Sequence, residues 1–223
     1  MIALIFILLS LFCHNVDLVA VIADGYTEPA SSAYLAVKIQ DPKISARVRN
    51  LHKAALNISK DFAPFLVAPD KLFQPLVAFR LEDEDVNRTS EIYDRKLQLA
   101  LCQYFPRRIP YTEFKVVNPE RYYYTGMHAM PQMDGWIKNV KEELLQSLNR
   151  HGFISLGDVE ENMVVISAPQ GINHRVSDIN LRPIKLTASA YVDRIYLCRG
   201  PVPNGYSNIA PCDKAQEFPV IKC

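Results

Sequence analysis

Glycine is scarce in this sequence, with 8 residues against 15 prolines, so its connections read as ordered loops rather than flexible linkers. There is no P-loop and no G-x-G-x-x-G, which excludes the common glycine-rich phosphate cradles. No G-x-S-x-G elbow and no nucleophilic-cysteine signature occurs, and no C-x-x-C pair points to redox or zinc chemistry. No histidine is followed two residues later by Thr or Ser. Neither charge sign dominates: 25 Lys and Arg stand against 24 Asp and Glu, so no strong field draws the chain to nucleic acid or membrane. Low-complexity tracts and solenoid-period repeats are missing too.

What is there begins with an apolar run from Ile2 to Phe12, interrupted only by Ser10. It is short of the roughly 20 apolar residues that span a bilayer, and it reads as a secretory leader. Val21 and Ala23 fit the small-residue pockets before a cleavage site, which sets a signal peptide over 1–23; cleavage after Ala20 is the alternative. Secretion is the expected localisation, with no transmembrane anchor after cleavage. Removing the leader takes Cys13 with it and leaves Cys102, Cys198, Cys212 and Cys223. An even number in a secreted chain predicts two disulfides, with three connectivities open, one of them tethering a tail over 211–223. Asn57-Ile-Ser59 and Asn87-Arg-Thr89 are N-glycosylation sequons, which agree with the leader.

Along the chain, Ser32 to Ile39 alternates as a strand, and Asp41-Pro42 caps a helix whose stripe is Ile44, Val48, Leu51 and Ala55. Phe73, Val77, Phe79 and Leu81 mark the apolar face of a second strand. Pro75 removes a ladder donor there, so that strand must be irregular or at an edge. The acidic turn Glu82 to Asp85 opens a second helix with Tyr93, Leu97, Ala100 and Tyr104 on one side; it reads as a solvated helix start, not a metal site. Phe105 to Pro110 separates two halves. Glu113 to Val117 and Arg121 to Met127 read as strands, Asp134 caps a third helix ending near Gly152, and strands at Asn162 to Ser167 and Tyr191 to Leu197 follow. The two comparable halves predict an α+β duplication.

Three segments carry a resemblance. Leu76-Val-Ala-Phe-Arg-Leu-Glu-Asp-Glu-Asp-Val-Asn87 resembles the first motif region of the A-kinase anchor protein seven-like phosphoesterase domain (also called the protein kinase A anchor protein nuclear localisation signal domain). Val192-Asp-Arg-Ile-Tyr-Leu-Cys198 with Asn204-Gly-Tyr206 is similar to the family's closing strand and tail. The helix from Asp134 to Leu148, ending at His151-Gly152, matches the approach to the second motif. The resemblance covers residues 31–210. It places the chain in the two-histidine phosphoesterase, or 2′-5′ RNA ligase-like, superfamily and implies a two-lobed fold with antiparallel sheets around a central cleft. Each lobe would present H-x-T or H-x-S on a strand: one histidine as general base, the other as general acid, with the hydroxyls on phosphate oxygens. The substrates implied are 2′-5′ linked oligonucleotides or 2′,3′-cyclic phosphates, with no metal or other cofactor.

The motif positions do not carry that chemistry. In the ungapped frame the first histidine and threonine fall on Leu72 and Gln74; a shift of two puts them on Gln74 and Leu76. Positions 72, 74 and 76 share a strand face, so neither register restores the motif. In the second, Asn162 and Val164 take the two places. General acid–base steps each supply about 10²–10⁴ in rate, so the ancestral reaction is expected to be lost. The expectation is a secreted, catalytically inactive protein that binds a nucleotide or other ligand in the cleft, with Gln74, Asn162, His128, Arg107 and Arg108 as ligand-binding candidates. Tyr104 and Tyr111 would stack beside the two arginines. Two alternatives stand: an active phosphoesterase using His128 with an arginine from 105–110, or a glycosylated interaction protein whose cleft is filled by Leu72, Leu76 and Val164. His52 and His151 read as structural, and His174 as solvated. Kinase anchoring is not expected, because the family's anchoring helix has no counterpart after Ser207.

Overall fold

The structure, a computed structural model, describes residues 32–105, 107–117, 124–131, 135–156, 159, 162–169, 175–200, 212 and 215–219. Ser31–Cys223 forms one compact unit. Its strands are β1 Ser32–Lys38, β2 Phe73–Arg80, β3 Arg107–Val117, β4 Tyr124–Pro131, β5 Met163–Pro169, β6 Ala188–Val192, β7 Arg194–Arg199 and β8 Ala215–Pro219. The α-helices are α1 Pro42–Ile58, α2 Arg95–Leu101 and α3 Gly135–Arg150. None among the described residues is long and apolar enough to cross a membrane.

Two antiparallel sheets result, in the orders β2-β1-β7-β8 and β5-β4-β3-β6. The expected duplication is visible in their edges: β1, α1 and β2 form one strand–helix–strand unit, and β4, α3 and β5 the other. The two edge strands approach each other, and Leu66 to Val67 stitches the junction by bridging Ile166 and donating the Val67 N–H to the Val165 carbonyl at 3.1 Å. Ile44, Val48, Leu51 and Ala55 of α1 and Trp136, Val140, Leu144 and Leu148 of α3 bury their stripes in one large core shared by both sheets. Asp41 caps α1 as expected, its carboxylate accepting from the N–H groups of Lys43 and Ile44.

Several boundaries differ from the sequence expectation. The second helix breaks into 3₁₀ turns at Asp83–Arg88 and Glu91–Tyr93, and α2 starts only at Arg95. Asp94 is extended there (φ −72°, ψ 170°) and accepts from the Leu97 N–H at 2.7 Å, so the cap, not the acidic turn, sets the start. Phe105 to Pro110 does not separate the halves: β3 runs through it. Residues 107–110 pair with β6 alone, Tyr111 with both neighbours and 113–117 with β4, so Pro110 sits where the strand has one neighbour and its missing N–H breaks no central ladder. The single strand expected at Tyr191 to Leu197 is two strands in different sheets, divided at Asp193. β8 lies in the segment read as a tail.

Candidate functional site

The edge strands β2 and β5, where the resemblance puts the two motifs, carry matching irregularities. Leu35 pairs with Val77 but Ala36 with Pro75, so Leu76 is an extra residue; Met127 pairs with Ile166 but His128 with Val164, so Val165 is extra. Aligning one bulge on the other makes Leu76 equivalent to Val165, Pro75 to Val164 and Phe73 to Asn162. The helix-packed face of β2 holds Leu76, Val77 and Phe79, flanked by Leu72 and Leu81, and that of β5 holds Met163, Val165, Ile166 and Ala168. Gln74 is buried on the same side, where its Oε1 accepts the Tyr111 hydroxyl proton at 3.2 Å.

Positions 72, 74 and 76 do share a face, but it is the one packed on the helices. The positions equivalent to Asn162 and Val164 are Phe73 and Pro75. Phe73 also leaves the apolar face on which the sequence placed it beside Val77, because the bulge shifts the phase of alternation between them. The chemistry is unchanged in sign: neither Phe73 nor Pro75 supplies a proton, a hydroxyl or a charge. Asn162 is half-buried and Val164 buried, and neither side chain is an acid, a base or a hydroxyl.

The helix-free face of the first sheet is filled by a second, smaller core. Tyr34 and Ala36 of β1, Phe73 and Ala78 of β2, and Tyr196 and Cys198 of β7 pack there with Val159 and Cys212. Phe73 meets the Tyr196 ring edge-on at 5.7 Å, with the Lys38 ammonium 5.9 Å from the Phe73 centroid. Burial, and then the nearby Glu217 charge, raise the Tyr196 pKa. A disulfide joins Cys198 to Cys212, and the Cys212 N–H donates to the Tyr34 hydroxyl at 3.0 Å. Cys102 is disulfide-bonded as well, while Cys223 lies outside the described residues. The cleft-filling expectation named Leu72, Leu76 and Val164; Leu72 and Leu76 pack on the helix side of the first sheet, where Phe73 and its aromatic neighbours fill the other face, and Val164 is a buried residue of the second sheet.

The second sheet differs. Arg108 of β3 lies directly across from Tyr191 of β6, and both are exposed. Glu113 and Lys115 are exposed on β3 as well. Arg107 is turned over the Trp136 ring at 5.4 Å, Tyr104 is half-buried, and Tyr111 is fully buried with its pKa raised by desolvation. Of the arginine–tyrosine set read from the sequence, Arg107 and Arg108 are exposed, and Arg108 is the one paired across strands with an exposed tyrosine. Its partner Tyr191 was missed because the strand break at Asp193 hid which residues of that segment point outward.

The histidines serve structure. His52, 9% exposed on α1, meets the Val165 bulge carbonyl with Nε2 at 3.2 Å, and burial lowers its pKa more than that bond raises it. The Nε2 atom of His151 lies 3.0 Å from the Asp94 carboxylate, not free at its helix end. Burial pushes the Asp94 carboxyl up, but the Leu97 N–H, His151 and Arg150 outweigh it and hold it down at about 2. His128 pairs through its backbone with Lys115 and Val164; its side chain, and all of His174, lie outside the described residues. Among the described residues no group of three His, Cys, Asp or Glu side chains is placed to hold a metal ion.

Two solved structures share this arrangement of strands and helices. E. coli LigT complexed with 3′-AMP is 13% identical, with a TM-score of 0.50 over 86% of this chain and 95% of that one. TT0787 of Thermus thermophilus is 14% identical, with a TM-score of 0.54 over 85% and 97%. No family model and no curated protein matches the sequence. At such identities the likeness is one of fold. It bears out the expected α+β architecture with antiparallel sheets, and it does not single out the A-kinase anchor protein seven-like domain.

Proposed function

We propose that this chain, which has the two-histidine phosphoesterase fold, is a secreted and glycosylated protein without phosphoesterase activity that acts by binding. One observation carries the reading: the positions that the two strand bulges align with the motifs are Phe73, Pro75, Asn162 and Val164. A proton cannot be taken from an attacking hydroxyl or given to a leaving oxygen by any of them. The leader over 1–23 and the sequons at Asn57 and Asn87, both exposed, support the secreted and glycosylated part. Glycosylated full chain incubated with 2′-5′ oligoadenylate and with a 2′,3′-cyclic phosphate is expected to release no product. Turnover that disappears in His128→Ala would instead establish the relocated active site.

A ligand on the second sheet is favoured by the exposed cross-strand pair of Arg108 and Tyr191, a cation beside an aromatic face. E. coli LigT was solved with 3′-AMP, which makes that nucleotide the first probe. Base stacking is worth about 1–3 kcal/mol by alanine substitution, so Tyr191→Ala is expected to weaken 3′-AMP binding about tenfold or more in calorimetric titration. Equal affinity in Tyr191→Ala and Arg108→Ala would exclude this face as the ligand site.

A further inference from the structure

We infer that the outer face of α1 is a docking surface for a sulfated polysaccharide, held by the cations Lys43, Arg47, Arg49 and Lys53. The chain as a whole is balanced, with 25 Lys and Arg against 24 Asp and Glu. α1 nevertheless carries these four cations and no acidic residue, and all four are exposed. Among the described residues none of the four side chains makes a hydrogen bond or an ion pair. Helical spacing arranges them in two rows, Lys43 with Arg47 and Arg49 with Lys53, on either side of the exposed, uncharged Ala46 and Asn50. The face they form runs about 15 Å along the helix. The helix itself gains nothing from them. Lys43 stands in the first turn, where the helix dipole disfavours a cation, and each row sets two like charges four residues apart. The Asp41 carboxylate is occupied by the N–H groups of Lys43 and Ile44. α3 shows the usual pattern instead, with exposed Lys138 and Glu142 of opposite sign four residues apart. Residues that weaken their own helix and find no partner within the fold mark a surface kept for binding.

Charge and the neighbouring residues select the partner. The apolar stripe of α1 is buried in the core, so the helix cannot lay an apolar face into a membrane or a protein groove. It carries no aromatic residue, so the bases of a single-stranded nucleic acid would find no surface to stack on. What the face does offer is fixed positive charge in two rows, including the donor forks of two arginines, which match oxyanions spaced along a polymer. Sulfate groups on a polysaccharide supply that chemistry outside the cell. The extracellular source of the partner rests on the secretion proposed above.

The test titrates the glycosylated full chain with heparin at about 0.15 M salt. Wild type is expected to bind, with an affinity that falls steeply as salt is raised. Lys43→Gln/Arg47→Gln/Arg49→Gln/Lys53→Gln should bind about tenfold more weakly or worse, with its far-ultraviolet circular dichroism and its affinity for 3′-AMP unchanged. Arg95→Gln/Lys96→Gln/Lys138→Gln/Arg199→Gln removes as many exposed cations from other elements and should bind heparin as wild type does. Equal losses in the two variants would overturn the surface, since net charge alone would then set the affinity. So would desulfated heparin binding as tightly as heparin, or tighter binding of the α1 face to a polynucleotide or to phosphatidylserine vesicles. Chain recovered from the culture medium that fails to bind heparin overturns the surface and leaves secretion standing. Chain retained in the expressing cells overturns the secretion, and heparin titration of chain purified from them reads the surface on its own.

Discussion

His52 shows how a residue that looked incidental is tied to the architecture. Its ring reaches the one carbonyl that the β5 bulge frees from the ladder, 113 residues away in sequence, and Val67 N–H shares that acceptor. The sequence marked His52 as structural, beside Leu51 of the first helix, but nothing local pointed to a partner on another sheet. The folded state holds the imidazole below the 6.5 of the free group, so the unfolded chain binds the extra proton first. Its contribution is therefore complete above pH 6.5 and is lost as pH falls below that value. His52→Gln removes the titration while keeping a donor for Val165. Urea unfolding at pH 7 and pH 5 should show the wild type losing more stability than the variant, by at most about 1.4 kcal/mol per pH unit. Equal losses would remove His52 from the acid response.

Elements were legible where one period ran uninterrupted. β1, α1, α3 and β5 lie within a few residues of where alternation and helical spacing put them, because their apolar faces are continuous. Legibility failed wherever a single residue changes the phase. Leu76 and Val165 shift the alternation of both motif strands, and Asp193 passes the chain from one sheet to the other inside what reads as one strand. β8, with two exposed polar residues and one buried Phe218, has too little pattern to stand out. Gly152 was legible for a definite reason. Its φ of +78° closes α3, and the Phe153 N–H returns to the Leu148 carbonyl at 3.0 Å. A methyl group there would meet no atom within 4 Å, so Gly152→Ala isolates the backbone effect. It should cost about 1–2 kcal/mol in equilibrium unfolding, with the midpoint shifted and the slope unchanged. A neutral substitution would mean that the helix end relaxes into another cap.

Across the whole molecule the two sheets have diverged in use. Their edge strands keep the same bulge at the same place, which marks them as counterparts, yet one helix-free face is closed over Phe73 and Tyr196 and the other presents Arg108 and Tyr191. That no frame places a histidine at the motif positions could be read from residue types alone. Which residues stand in its place could not, because the bulge decides the face and only the pairing shows it. Turnover of a 2′,3′-cyclic phosphate by the glycosylated, disulfide-intact chain, followed by phosphorus NMR, tests the central claim most directly. The account predicts a rate indistinguishable from buffer. Product formation abolished by His128→Ala would contradict it.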